Sequence, residues 1–122
     1  MDVIHTAIWV SDREETESYY IDTLGLEYTR EFVGDDGVTN FYVAGESDTE
    51  IQFKHVEGRE ESVEPSGIDH LAVSTEDVDA AVERIEEAGY EAVMGPLATE
   101  ATGAYIAFVE APDGYVVELI EA

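Results

Sequence analysis

The chain repeats itself: His5 and His70 stand 65 positions apart, Gln52 and Glu118 stand 66 apart, and each pair sits in a matching local context. The first copy reads His5-Thr6-Ala7-Ile8-Trp9-Val10, followed by an amphipathic stretch that closes at Leu24-Gly25. The second reads His70-Leu71-Ala72-Val73-Ser74, followed by a helical pattern that closes at Ala88-Gly89. An Asp follows each His by seven positions, at Asp12 and Asp77. Self-similarity at a fixed period marks a repeated supersecondary unit whose copies share a core. Four potential metal ligands therefore fall at equivalent positions of two copies, and a site assembled that way constrains function as well as fold.

Hydrophobic periodicity fills in each copy. Val3 to Val10 alternates, with Val3, His5, Ala7 and Trp9 on one face, which predicts a strand carrying His5. Arg13 to Leu24 reads as a helix with Tyr19 and Tyr20 in the core, Gly25 as its terminator and the acidic run Asp12 to Glu17 as a solvated face. Strands follow at Tyr28 to Val33, Thr39 to Ala44 and Glu50 to Val56, separated by Gly- and Asp-rich turns. In the second copy Ile68 to Ser74 predicts a strand, and Val78, Ala81, Val82 and Ile85 recur at helical spacing behind a cap at Ser74 or Thr75. Glu91 to Met94, Tyr105 to Val109 and Tyr115 to Ile120 complete the set, the last two joined by an Ala111-Pro112-Asp113-Gly114 turn. The expected fold is α+β: residues 1–57 form one βαβββ module, residues 58–67 a linker and residues 68–122 a second module within a single domain. The modules are expected to form a curved mixed sheet around a metal cleft. Period-two arithmetic puts Gln52 with Glu50 and Lys54 on the polar face of its strand, with Ile51, Phe53 and His55 opposite. Glu118 shares its face with Val116 and Ile120, in an apolar strand where an unpartnered carboxylate would be costly.

Composition narrows the partners. Thirty acidic and five basic residues give a formal charge of -25, yet 44% of the chain is hydrophobic, so a folded and highly soluble protein is expected. Such a surface repels itself unless salt screens it, which points to a salt-rich, halophilic cytoplasm. With only Arg13, Arg30, Lys54, Arg59 and Arg84 carrying positive charge, no basic patch exists for nucleic acid or anionic membrane. The absence of cysteine excludes disulfides and thiolate chemistry. No apolar run reaches membrane-spanning length and no signal peptide opens the sequence, so the expected location is cytoplasmic.

Several segments together resemble the vicinal-oxygen-chelate superfamily, and within it glyoxalase I most closely. They are His5-Thr6 to Val10, Tyr20 with Leu24-Gly25, His70-x-Ala72-x-Ser74, and Ala107-Phe108-Val109-Glu110-x-Pro112-Asp113-Gly114-Tyr115-x-x-Glu118-Leu119-Ile120. The resemblance spans nearly the whole chain. It implies paired βαβββ modules, a homodimer, and a divalent metal held by His5, Gln52, His70 and Glu118. Two imidazoles, an amide oxygen and a carboxylate form a sulfur-free set suited to Ni, Co, Mn or Zn, or to Fe(II) in a dioxygenase. The implied reaction converts the hemithioacetal of a 2-oxoaldehyde such as methylglyoxal into a 2-hydroxyacyl thioester, with Glu118 as the catalytic base.

The departures from that pattern are informative. Bacterial glyoxalases usually carry Glu where this chain has Gln52, whereas methylmalonyl-CoA epimerases resemble the His, Gln, His, Glu order. Trp9 stands where glutathione-using glyoxalases carry Arg, Val56 stands where they carry Asn, and the Gly95-Pro96-Leu97-Ala98-Thr99 loop lacks their Lys. A low-molecular-weight thiol other than glutathione is the expected co-substrate, with Trp9 and Lys54 as substrate-binding candidates and Lys54 able to meet a carboxylate. An epimerase, an Fe(II) dioxygenase and a metal-free small-molecule binding protein of the same superfamily remain alternative readings.

The charge balance generates a prediction. Raising KCl from about 0.1 M to about 1 M, which shortens the Debye length from roughly 10 Å to roughly 3 Å, should raise the thermal unfolding midpoint progressively. A midpoint that is flat or falling across that range, measured by circular dichroism, would contradict the halophilic reading.

Overall fold

The computed structural model describes residues 1–59 and 61–122; Glu60, within the expected linker, lies outside the described residues. The chain divides into two compact units, Met1–Glu64 and Pro65–Ala122. Each is built on one plan.

In the first unit, β1 (His5–Trp9) leads into α1 (Arg13–Glu17), and β2 (Glu27–Val33), β3 (Thr39–Ala44) and β4 (Glu50–His55) follow. The strands lie in the order β1-β4-β3-β2, with β1 parallel to β4 and the other pairs antiparallel. The sheet thereby closes first strand against last, and Ala7 pairs with Gln52. One face carries Ile8, Val10, Phe41, Val43 and Phe53, all buried together with Tyr19 and Tyr20 from the helical segment. The Tyr20 and Phe53 rings lie 4.8 Å apart and those of Phe41 and Phe53 5.2 Å apart, aromatic contacts that bury large apolar area in a small core.

The helix differs from expectation. Instead of one α-helix to Leu24, the chain widens after Glu17 into a π-helical segment, Ser18–Thr23, in which Leu24 N–H bonds Tyr19 C=O at 2.9 Å. A wider turn brings neighbouring positions closer in angle, so Tyr19 and Tyr20, adjacent in sequence, both reach 1% exposure. Gly25, at φ 80°, then ends the segment in the left-handed region that glycine enters without penalty.

The second unit repeats the order as β5 (Leu71–Thr75), α2 (Val78–Glu87), β6 (Ala92–Ala98), β7 (Tyr105–Glu110) and β8 (Val116–Glu121). Its sheet runs β5-β8-β7-β6, again with first strand parallel to last, and pairs Ala72 with Glu118. Val78, Ala81, Val82 and Ile85 of α2 are buried, as are Ala107, Val109, Val117 and Leu119 of the strands it covers.

Two details correct the sequence reading. The α2 cap is Asp77, whose carboxylate accepts from Ala80 N–H at 3.0 Å; Ser74 and Thr75 are still strand and cannot turn into the helix. Asp12 caps α1 in the same way, accepting from Glu15 N–H at 2.9 Å, which accounts for the Asp found seven residues after each His. Further on, β6 continues past Gly95-Pro96 to Ala98, where a loop was expected. Pro96 is tolerated because β6 is an edge strand and its ladder with β7 shifts register between Met94 and Leu97.

Outside the first core, Arg13 joins Glu17 and Glu31, with Arg13 Nη2 2.7 Å from Glu31 Oε1 and the Tyr28 hydroxyl donating to Glu31 at 2.7 Å. The guanidinium above all, then the Tyr28 hydroxyl, hold the Glu31 carboxyl at about 2 against an ordinary value of 4.5. A folded-state value below the unfolded one means stability present at neutral pH and lost as pH falls from 4.5 towards 2. Glu31→Gln should therefore destabilise the protein at pH 7 relative to the same charge change at Glu87, and the gap between the two variants should close over that acid range. A gap independent of pH would rule out the ion pair as its source.

Candidate metal centre

The register fixes which side chains share a face with each ligand candidate. In the first unit, β1 presents His5, Ala7 and Trp9, β4 presents Glu50, Gln52 and Lys54, and β3 presents Asn40 and Tyr42, all on the sheet face opposite the Phe41–Phe53 core. In the second, β8 presents Val116, Glu118 and Ile120, with Ile106 and Phe108 beside them on β7. His70 stands immediately ahead of β5 rather than within it, because the ladder begins at Leu71 opposite Val117.

Each imidazole meets an aromatic ring edge-on. Tyr42 opposes Gln52 in register and lies 5.8 Å from the His5 ring at 80°, while Phe108 opposes Glu118 and lies 5.2 Å from the His70 ring at 88°. Tyr42 and Phe108 are 66 positions apart, the same offset as Gln52 and Glu118. The repeat thus includes a wall for each His, a correspondence available in the sequence but not used. Tyr42, 3% exposed, is both buried and on the candidate face.

In the second unit the structure brings His70 and Glu118 together, with Nε2 3.2 Å from Oε1. The other ring nitrogen, Nδ1, lies 2.7 Å from Asp69 Oδ2. With Nδ1–H donated to Asp69, the Nε2 lone pair faces the Glu118 oxygen as a second acceptor, an arrangement suited to a cation between them and to the carboxylate–histidine pairing that orients imidazole ligands. Asp69 was not anticipated, although its place next to His70 was a readable signal.

In the first unit, Gln52 is 7% exposed and donates from Nε2 to Asn40 Oδ1 at 2.8 Å. His5 Nδ1 is buried without a hydrogen-bond partner, a rare and costly state for an imidazole nitrogen. Lys54, close to Trp9 with its ammonium 5.4 Å from the ring centroid, also donates to Asn40 Oδ1 at 2.8 Å. Trp9 is 41% exposed and so is not a core residue. Arg30 lies over Tyr42 at 3.9 Å and pairs with Glu50 at 3.2 Å. Hydrogen bonds from Thr29 and then Arg30 hold the Glu50 carboxyl below its ordinary range.

Among the described residues no group of three or more His, Cys, Asp or Glu gathers at one point. Each unit carries one imidazole and one oxygen donor among the ligand candidates, His5 and Gln52 in the first and His70 and Glu118 in the second. Two imidazoles, a neutral amide oxygen and one carboxylate suit a borderline divalent ion and leave room in its shell for substrate oxygens, and the unpartnered His5 nitrogen and the His70–Glu118 contact both fit that use.

Comparison with known proteins follows the same line. Residues 3–119 match the family model described as Glyoxalase/Bleomycin resistance protein/Dioxygenase superfamily. A probable lactoylglutathione lyase of Synechocystis is 30% identical over 132 residues, covering 99% of this chain and 95% of the relative. Glyoxalase I from Zea mays superposes with a TM-score of 0.86 at 26% identity, covering 98% of this chain, which spans only 44% of that longer one. An antibiotic binding protein from Streptomyces sp. CB03234 superposes at 0.78 with 27% identity, covering 99% of this chain and 95% of that one.

Proposed function

The chain belongs to the glyoxalase/bleomycin resistance protein/dioxygenase superfamily, and on that premise we propose that it is a glyoxalase I-like, divalent-metal-dependent isomerase. Its substrate would be the hemithioacetal formed from a 2-oxoaldehyde and a thiol other than glutathione. The observation that carries the reading is the repeated pairing: equivalent sequence positions of both units carry an imidazole and an oxygen donor, and one of those donors is a carboxylate able to move a proton.

His5, Gln52, His70 and Glu118 would hold the ion. When bound, a divalent ion supplies Lewis-acid stabilisation of negative charge on two adjacent substrate oxygens. Glu118 takes the proton from the carbon bearing sulfur and oxygen and returns it to the neighbouring carbon, while the hydroxyl proton passes from the first carbon's oxygen to the second's, so that the substrate leaves as a 2-hydroxyacyl thioester with no change in atoms or net oxidation state. His70 Nε2 and Glu118 Oε1 lie 3.2 Å apart, close enough to donate to one ion, and Asp69 holds the His70 ring through Nδ1. The Glu118 side chain is 16% exposed, which leaves it open to a ligand.

Residues of this chain, not the names of its relatives, argue against glutathione as the thiol. By the resemblance to glutathione-using glyoxalases, Trp9 and Val56 stand where those enzymes carry the Arg and Asn that grip the glutamyl part of glutathione. What the Gln52 face offers instead is an exposed indole and two cations, Lys54 and Arg30. That combination suits a smaller anionic or partly aromatic thiol adduct.

A second reading is a metal-free binding protein, favoured by the likeness to the Streptomyces antibiotic binding protein over nearly the whole of both chains. One assay separates the two. Protein purified at high salt, loaded in turn with Ni, Co, Mn or Zn and given methylglyoxal with a panel of thiols, should isomerise the adduct only when metal is bound. Glu118→Gln, its metal content measured alongside, should lose at least about a hundredfold in kcat. Failure to take up stoichiometric metal would overturn the isomerase in favour of the binding protein. Metal uptake with unchanged activity in Glu118→Gln would remove Glu118 as the base.

A further inference from the structure

We infer that Asn40 is a positioning residue that, together with Lys54, locks the Gln52 side-chain amide with its oxygen free for a metal ion. The inference rests on Gln52 being one of the ligands.

Chemistry, rather than the naming of amide atoms, fixes the orientation. An ammonium group can only donate, so the Asn40 atom 2.8 Å from Lys54 Nζ has to be oxygen. A backbone carbonyl can only accept, so the Asn40 atom 3.0 Å from Val38 C=O has to be the amide nitrogen. Asn40 is thereby held from both ends, and at 2% exposure no water competes for it. The oxygen so fixed also lies 2.8 Å from Gln52, and two carbonyl oxygens cannot share a hydrogen bond, so Gln52 has to present its nitrogen. Its oxygen is left unengaged by Asn40. Divalent ions bind a neutral amide through oxygen, because the nitrogen lone pair is delocalised; a flipped amide would turn two N–H groups towards the ion.

The repeat supplies an internal control. Asn40 pairs with Lys54 in the first sheet, and at the equivalent ladder position of the second sheet Ile106 pairs with Ile120. The ligand candidate in that second sheet is Glu118, whose two oxygens are interchangeable and need no such lock. The polar pair occurs where the donor is an asymmetric amide, and an apolar pair occurs where it is a symmetric carboxylate.

The test is nickel(II) affinity of the full chain, measured by chelator competition with cobalt(II) absorption as a check on coordination, in a double-mutant design. Asn40→Ile/Lys54→Ile, which gives the first sheet the second sheet's pair, should weaken nickel binding about 10- to 100-fold, the usual effect of releasing a residue that orients a ligand. The fall is diagnostic, since deleting a lysine charge would by itself favour a cation. In a Gln52→Glu background the same double substitution should cause no fall, because a carboxylate needs no orienting. Equal losses in both backgrounds, or none in either, would overturn the inference while leaving the metal reading intact; wild-type protein that binds no nickel would overturn both. Should the double variant fail to fold, Asn40→Asp serves instead. It keeps an acceptor oxygen for Gln52 and Lys54, is expected to hold nickel at least as tightly as wild type, and contradicts the inference if binding drops tenfold.

Discussion

Parallel pairing of the first strand of each unit with its last is the constraint from which the rest follows. Because β1 lies beside β4 and β5 beside β8, residues separated by more than 40 positions in sequence become lateral neighbours, and the ladder sets Ala7 against Gln52 and Ala72 against Glu118. A slip of one residue would turn every side chain of the shifted strand to the opposite face. It would send Gln52 into the aromatic core and Phe53 out of it. The burial of Phe53, Phe41 and Val43 at 0% exposure therefore enforces the register that keeps Gln52 on the other face. Packing on one side of each sheet holds chemistry in place on the other.

Much of this was legible because the periodicities are clean. β3 matches its expected range, Tyr19 and Tyr20 are core, and Gln52 and Glu118 lie on the faces that period-two counting gave them. The misses occurred where a local rule was overridden. Propensity alone does not reveal the π-helical widening after Glu17, which answers to the need to bury two adjacent tyrosines. Ser74 and Thr75 look like caps until the strand is known to run through them, and Pro96 looks like a strand breaker until β6 is known to be an edge. In the candidate site, Asp69 and Asn40 escaped notice for different reasons. Asp69 precedes His70 directly, but only the folded geometry shows its carboxylate on the ring Nδ1. Asn40 sits inside an apolar strand, and its role becomes visible only when Lys54 and Gln52 converge on one of its oxygens.

The two units share a backbone plan and have diverged in their donors. Glu118 is a carboxylic side chain whose Oε1 lies 3.2 Å from His70 Nε2. Gln52 is neutral and pinned, and its neighbours are polar where those of Glu118 are apolar. On the proposed function, such a division would give fixed coordination to one half and proton transfer to the other, a reason for a duplicated module to lose its symmetry at these two ladder positions. The surrounding charge of -25 adds an attractive field for any cation and an unfavourable one for anionic substrates, which gives Lys54 and Arg30 their weight on the Gln52 face.

The proposed function stands or falls on whether His5, Gln52, His70 and Glu118 ligate one divalent ion. Anomalous X-ray scattering from crystals of the nickel-loaded protein tests it most directly. The account predicts one nickel per chain, with His5, Gln52 through its oxygen, His70 and Glu118 all within bonding distance of it. Nickel bound by His70, Glu118 and Asp69 alone, with His5 and Gln52 elsewhere, would contradict it.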